Sequence, residues 1–457
     1  MAVTITYKAL PPSGAETAAL KKIEYVNAHG CTFPLSKGGD AENEALIAQL
    51  GKAKKLEAKG LAKCKEAAKI DYKAFLSLAK TYLSNKRCLL VALFEDNRRR
   101  PLDQRRSLEE LIALANKYNL LKDLSEPARV WRKPKASGKG MRVICSFGPV
   151  ARAAQQMVSK LLSLTYEPSE FQFAKLTIAE KVQHAMAVIN KKGYAHVTEV
   201  DIKDFFPSFN GEALVDALPL PKEATRQIVL AQSTSWGPHP LYSQYGCISS
   251  PPGIPQGSAS SAAVADWCIA NMPLAKLAGA MVINHADNLF ALSVSSGAAQ
   301  NVAKALSSGI AGLPGGDFYG KTEQAVEVKD GFRMLGCWVS VSKAGHLEAE
   351  PTEANYKGFR KRAGQQRQRV YGRLAAAHQQ QSTQLRIRGL QDYLRLASMV
   401  QGWVQAFAFC GPHIGVVKDH YDYDLNLLRD TFEITENELK PLKDHSTEMP
   451  VKWYSGS

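Results

Sequence analysis

The sequence lacks most of the marks that assign a chain to a special class. Its eight cysteines, at positions 31, 64, 88, 145, 247, 268, 337 and 410, lie far apart with no C-x-x-C pair. That excludes a zinc ribbon and a disulfide-stapled secreted fold, and reads as buried thiols in a reducing compartment. The histidines are scattered too, so no histidine-based metal site is visible, and His285 reads as a packing or template-contact residue. No basic stretch followed by an apolar run opens the chain, so neither a secretory signal nor a transit peptide is read there, and the cytoplasm is the expected location. The most apolar segment, 396–417, is interrupted by Gln401, Gln405, His413 and the Gly411-Pro412 break, which predicts a buried helix rather than a membrane span. Acidic residues are short as well: 43 Asp and Glu face 58 Lys and Arg, for a net charge of +15. The imbalance favours a polyanionic partner over an acidic small molecule.

What is present is a chain of 457 residues, 45% of them hydrophobic, enough for a large core in two or three domains. Residues 40–69 are rich in Ala, Leu, Glu and Lys at helical spacing and predict a helix. A second helical block is expected over 72–93, and Ser107 with Glu110 forms the sequence pattern of a capping box. At Trp131 the character changes: two basic arms around Pro134, Ser137 and Gly138 predict a hairpin. Helical spacing returns at 150–164 and 178–191, before a strand, HVTEVDI, that delivers Asp201 and Ile202 at its end. Residues 281–294 read as a hairpin with Asp287 at its tip, and 332–341 as a further strand or hairpin. Beyond Gly345 the chain turns helical and strongly basic over 356–400. Helices and strands that alternate irregularly make the class α+β.

Each chemically suggestive residue is ordinary when taken alone. An aspartate at a strand end or hairpin tip is usually a turn residue, a Gly-Ser turn is usually a helix cap, and a surface lysine says little. The order is informative. EVDIKDFFPSF (199–209), PPGIPQGSASS (251–261), INHADNLFAL (283–292), FYGKTEQAV (318–326) and GFRMLGCWV (331–339) follow one another in one chain. This set resembles the reverse transcriptases, most closely the bacterial and group II intron-like branch, over about Trp131 to Val341. Asp201 with Phe205 and Phe206 matches the family's D-x-x-x-F-F block, Pro255-Gln256-Gly257 its P-Q-G block, and Asp287 its strand hairpin. Lys321-Thr322 matches the K-T pair, and Phe332, Leu335 and Gly336 the primer grip. KPKASGKGMRVI looks like the basic fingers hairpin, and the helices around Gly402-Trp403 are similar to an intron-type thumb.

The resemblance implies a right-hand polymerase fold: an N-terminal helical extension over 1–99, fingers and an antiparallel-sheet palm over 100–342, and a basic helical thumb with the C-terminal tail over 343–457. It implies an RNA-directed DNA polymerase, a nucleotidyltransferase that uses an RNA template and deoxynucleoside triphosphates to make DNA. Asp201, Asp287 and the Ile202 carbonyl would hold Mg²⁺, with Mn²⁺ as the alternative, since hard oxygen ligands suit such ions. Lys321 would serve the leaving pyrophosphate, Lys135 and Arg142 the triphosphate, and Gln256 and Gly257 the nucleotide pocket. Phe205 is expected as the ring under the sugar that excludes a 2′-hydroxyl. No membrane partner is expected, and an oligomer is compatible with the sequence.

One departure stands out. Where the family carries two adjacent aspartates, this chain has Asp287 followed by Asn288, which removes a negative charge beside the metals. Two alternatives follow: a polymerase-fold nucleic-acid-binding scaffold with little or no turnover, and a domesticated phage-defence or retron-like enzyme with a dedicated non-coding RNA.

Overall fold

Period-two alternation in HVTEVDI decides the central sheet. His196, Thr198, Val200 and Ile202 fall on one face and Val197, Glu199 and Asp201 on the other. The computed structural model describes residues 2–4, 24–29, 31–36, 38–100, 104–135, 140–240, 242, 248–274, 277–439 and 442. In chain order its elements are β1 (Ala2–Thr4), β2 (Glu24–Ala28), β3 (Cys31–Pro34), α1 (Gly39–Ile70), α2 (Tyr72–Ser84), α3 (Lys86–Arg98), α4 (Leu108–Lys117), β4 (Ala128–Pro134), β5 (Met141–Ser146), α5 (Pro149–Leu162), α6 (Ile178–Lys192), β6 (His196–Ile202), α7 (Gly211–Ala217) and α8 (Lys222–Ala224). There follow β7 (Trp236–Pro238), α9 (Ser261–Ala270), β8 (Ala280–His285), β9 (Asn288–Ser293), α10 (Ser296–Ala311), β10 (Gly320–Thr322), β11 (Val326–Glu327), β12 (Phe332–Met334), β13 (Cys337–Val341), β14 (Leu347–Pro351), α11 (Glu353–Gln379), α12 (Thr383–Phe407) and α13 (His413–Thr431). Helices and strands are mixed, as the irregular alternation in the sequence predicts.

The chain divides into two compact units, one of Met1–Gln49, Phe94–Ile112 and Ala349–Tyr454, the other chiefly of Leu50–Leu93 and Ala113–Glu348. In the second, an antiparallel sheet runs β10-β6-β9-β8, with β11 also paired to β6. Helix α10 lies against β6, β9 and β10 and buries Val302, Leu306 and Ile310. It starts where Ser295 Oγ accepts the Ala298 N–H. The expected basic hairpin is β4–β5, in register from Arg129 opposite Ser146 to Pro134 opposite Met141; Ser137 and Gly138 lie outside the described residues.

One local expectation is refined and one holds. The block 72–93 is two helices, because Asn85 ends α2 with extended backbone and its Oδ1 accepts the N–H groups of Arg87 and Cys88 at the head of α3. The capping box is formed as the sequence predicts, with Ser107 Oγ accepting from Glu110 N–H and Glu110 Oε2 from Ser107 N–H. Seven of the cysteines are described, and all are buried; Cys247 lies outside the described residues.

The first unit contains the helical end of the chain. Trp403 is fully buried, stacks on Phe359 at 4.5 Å, and donates its Nε1–H to Asn355 Oδ1. Basic residues reach onto buried acids: Arg367 onto Asp424, Arg373 onto Asp392, and Arg386 onto Glu438 at 2.7 and 3.1 Å. Among the described residues no helix is long and apolar enough to cross a membrane.

The loop before α9 is clamped to the β4–β5 hairpin. Cys145 N–H donates to the Gln256 carbonyl at 2.7 Å, and Gly257 follows with φ +108°, where a Cβ would stand 2.2 Å from the Cys145 oxygen. Only glycine fits this approach. Gly257→Ala is therefore expected to destabilise the fold by on the order of 2 kcal/mol or more, read as a lower midpoint in urea melts with an unchanged slope.

Candidate active site

Asp201 and Asp287 arrive from different strands and are fastened to each other through the backbone. The register of β8 and β9 pairs His285 with Asn288, which leaves Ala286 and Asp287 as a two-residue tip. Ala286 sits at φ +54°, a left-handed conformation costly for a residue with a Cβ. Three groups hold the tip. Ile202 N–H donates to the Asp287 carbonyl at 3.0 Å. The buried Asn284 side-chain amide donates to the carbonyls of Ala286 and Asn288 at 2.9 and 3.1 Å. Lys181 Nζ in turn donates to the Asn284 carbonyl at 2.8 Å.

Cross-strand register places further groups beside the acids. Asp201 lies opposite Asn288 on β9 and opposite Lys321 on β10, and directly paired residues share a face. Asn288 donates its side-chain N–H to Asp287 Oδ1 at 3.2 Å. Lys321 is exposed and rests on Glu323 Oε1 at 2.6 Å.

Electrostatics ties these groups into one site. Burial raises the Asp201 pKa, as do the negative charges of Asp287 and Asp204, against the opposing pull of Lys321 and Lys135. Burial also raises Asp287, opposed by its own backbone N–H and by Arg142 and Lys135. Lys135 therefore acts on both carboxylates and Arg142 on Asp287, and Lys135 Nζ lies 3.6 Å from Asp204 Oδ1. Glu199, two residues before Asp201 on the same face, is raised by burial, Asp201 and Glu323. His285 is pushed down to about 4 by burial and by Lys181, so it is neutral at pH 7.

Other expected residues fall elsewhere. Phe205, expected as the sugar-facing ring, is 2% exposed and packed among Phe206, Phe209 and Phe318. Little of it is left to meet a sugar, and the half-exposed ring beside it is Phe206. The Ile202 side chain is 1% exposed in the core, so only its carbonyl is left to offer an ion. Leu335 and Gly336 form the tip between β12 and β13, both at positive φ, +50° and +84°, as a type I′ turn requires.

Sequence reasoning missed four supporting groups. Glu199 was legible, because period two puts it beside Asp201. Asp204, Asn284 and Lys181 were not, since their roles depend on contacts across the fold.

Among the described residues no three His, Cys, Asp or Glu side chains form a closed metal cage. The pair Asp201 and Asp287 still fits a hard divalent cation: it offers carboxylate oxygens whose mutual repulsion such an ion would relieve, with water and substrate oxygens free to complete the shell.

No family model matches the chain, and no curated protein does. Among solved structures, a Sicinivirus 3Dpol RNA-dependent RNA polymerase aligns with TM-score 0.34 and 9% identity over 78% of this chain and 70% of that one. Telomerase from Candida albicans, in complex with a fragment of telomeric RNA, aligns with TM-score 0.34 and 11% identity over 71% of this chain and 62% of that one. Both neighbours are nucleic-acid polymerases; at these scores the likeness carries no functional argument.

An aspartate whose folded pKa stands above its unfolded value costs stability once it is ionised. Asp201→Asn should thus raise the melting temperature of the metal-free protein by a few degrees at pH 7. The gain should shrink as pH falls toward 4, where the unfolded-state carboxyl also takes up its proton; differential scanning fluorimetry across pH reads both.

Proposed function

We propose that the chain is an RNA-directed DNA polymerase with a right-hand fold, its palm formed by the β10-β6-β9-β8 sheet, its fingers by the β4–β5 hairpin and neighbouring helices, and its thumb by α11–α13. The observation that carries this reading is the convergence of Asp201 and Asp287, joined through Ile202 N–H, with Lys321 in register on the next strand, Lys135 acting on both carboxylates and Arg142 on Asp287.

Asp201 and Asp287, with the Ile202 carbonyl, would hold divalent ions. A bound Mg²⁺ pair supplies charge stabilisation for the attacking and leaving oxygens of an in-line displacement at phosphorus. The chain's own residues do the rest. Lys135 and Arg142 bind the triphosphate and orient its α-phosphorus toward a primer 3′-oxygen. Lys321, held beside Asp201 by Glu323, protonates or neutralises the leaving pyrophosphate. Phe206 supplies the ring under the sugar, leaving no space for a 2′-hydroxyl and so favouring DNA as product. On the thumb, Arg367, Arg373 and Arg386 are committed to acids, so the duplex backbone falls to Arg360, Lys361 and Arg369, all exposed.

Asn288 favours a second reading, a scaffold that binds nucleic acid without turnover. In that case Asp201→Ala and Asp287→Ala leave the biological effect intact. A dedicated non-coding RNA template fits either role, and sequencing the nucleic acid that co-purifies with the protein would identify it.

The central test is primer extension on an RNA template with Mg²⁺ or Mn²⁺. Wild type should incorporate deoxynucleotides and Asp201→Ala should lose at least a thousandfold; no incorporation by wild type beside an active control enzyme rejects the polymerase. Phe206→Ala should raise ribonucleotide incorporation, and Phe205→Ala should instead lower the melting temperature. Asn288→Asp replaces the side-chain N–H hydrogen bond to Asp287 Oδ1 with like-charge repulsion. It should lower the melting temperature without metal while preserving synthesis and reducing the Mg²⁺ needed for half-maximal rate.

A further inference from the structure

The long helix α1 carries a feature that the carboxylate site does not use. Lys52, Lys55, Lys59 and Lys63 are all exposed and recur at intervals of three, four and four residues, which places them on one side of the helix. Neighbouring lysines on such a face stand about 5–6 Å apart, and the ladder spans about 16 Å at 1.5 Å per residue. Among the described residues no acid is paired with any of the four. The exposed residue among them on the same side is small, Ala62, and the nearest acid of that face is Glu66.

The opposite side of α1 explains why this face is presented rigidly. Leu50, Ala53 and Cys64 are buried, and so is Glu57, whose Oε1 accepts from Tyr82 O–H at 3.0 Å and from Lys160 Nζ at 2.6 Å. A charged side chain held by two partners in the interior fixes the rotation of the helix about its axis. The lysines are thereby held outward as an array.

We infer that this lysine ladder is a binding surface for the phosphate backbone of RNA, separate from the carboxylate site. Phosphates recur along a strand at spacings that four cations over about 16 Å can engage together, and the small Ala62 between Lys59 and Lys63 lets a backbone approach closely. A membrane surface is the poorer fit. An interfacial helix needs an apolar side to insert into lipid, and the apolar side of α1 is already spent on the core of its own unit. Lysine also suits contacts that follow a backbone without reading bases, because it acts as a point charge on a flexible stem.

The test uses the full chain and a fluorescein-labelled single-stranded RNA of about 30 nucleotides, with anisotropy titrations over a range of KCl concentrations. Replacing Lys52, Lys55, Lys59 and Lys63 together by Gln keeps helix propensity nearly unchanged. It should weaken binding at least tenfold at low salt and reduce the slope of log affinity against log salt by about 3, near 0.7 per lost contact. The matching fourfold Lys→Arg variant should bind like wild type, which separates charge from folding. Repeating the comparison in the Asp201→Asn background should give the same difference, so the ladder can succeed or fail whatever becomes of the polymerase reading. Equal affinity and slope for wild type and the Gln variant would overturn the inference and leave a solvated face. So would a Gln variant that keeps its RNA affinity but no longer sediments with phosphatidylserine-containing vesicles that wild type binds.

Discussion

The hydrogen bond from Ile202 N–H to the Asp287 carbonyl is the constraint on which the rest of the candidate site depends. It extends the β6–β9 ladder one step past the last regular pair, Asp201 opposite Asn288, into the hairpin tip. Without it, Asp287 would belong to a mobile turn and Asp201 to a strand end, as isolated aspartates do in most proteins. With it, both carboxylates are tied to one rigid sheet, and the distance between them becomes a property of strand spacing instead of side-chain chance.

This arrangement carries two local costs. Ala286 is held at positive φ, and the partly buried Asp201 stands close enough to Asp287 for that negative charge to raise its pKa. The compensation is also local. Asn284 spends its amide on both carbonyls that flank Asp287, and Lys181, itself buried, satisfies the Asn284 carbonyl and that of Gln172. A strained tip braced from behind by buried polar groups is what a functional site looks like when the fold, not the site, supplies the stability.

How much of this the sequence disclosed follows from which interactions are local. Strand β6, the β8–β9 hairpin and the Ser107–Glu110 box depend on neighbours within a few residues, and alternation, turn chemistry and caps are legible at that range. The break at Asn85 was local too, but it was hidden inside a continuous apolar pattern. Phe205 shows the limit of position counting. Two adjacent rings after a catalytic-type aspartate cannot both face a substrate, and only the packing of Phe209 and Phe318 around one of them decides which turns inward. Lys181 and Asn284 are 103 residues apart in their bond, and nothing in either neighbourhood predicts it.

The net charge of +15 acquires structure once each cation is traced to its partner. Arginines on the C-terminal helices reach back to buried carboxylates: Arg367 to Asp424, Arg373 to Asp392, and Arg386 to both oxygens of Glu438. A planar, always-charged group with several donors suits such partly buried pairs. The ladder lysines of α1, by contrast, stand in water, where an ammonium is well hydrated and loses little by waiting for a ligand. Part of the positive charge therefore holds helices together, and the part left uncommitted is what a polyanion would meet. Composition alone cannot separate these two shares, because both are written with the same residues. Only burial of the acid partner does, which is why a basic helical segment in a sequence overstates the surface available for binding.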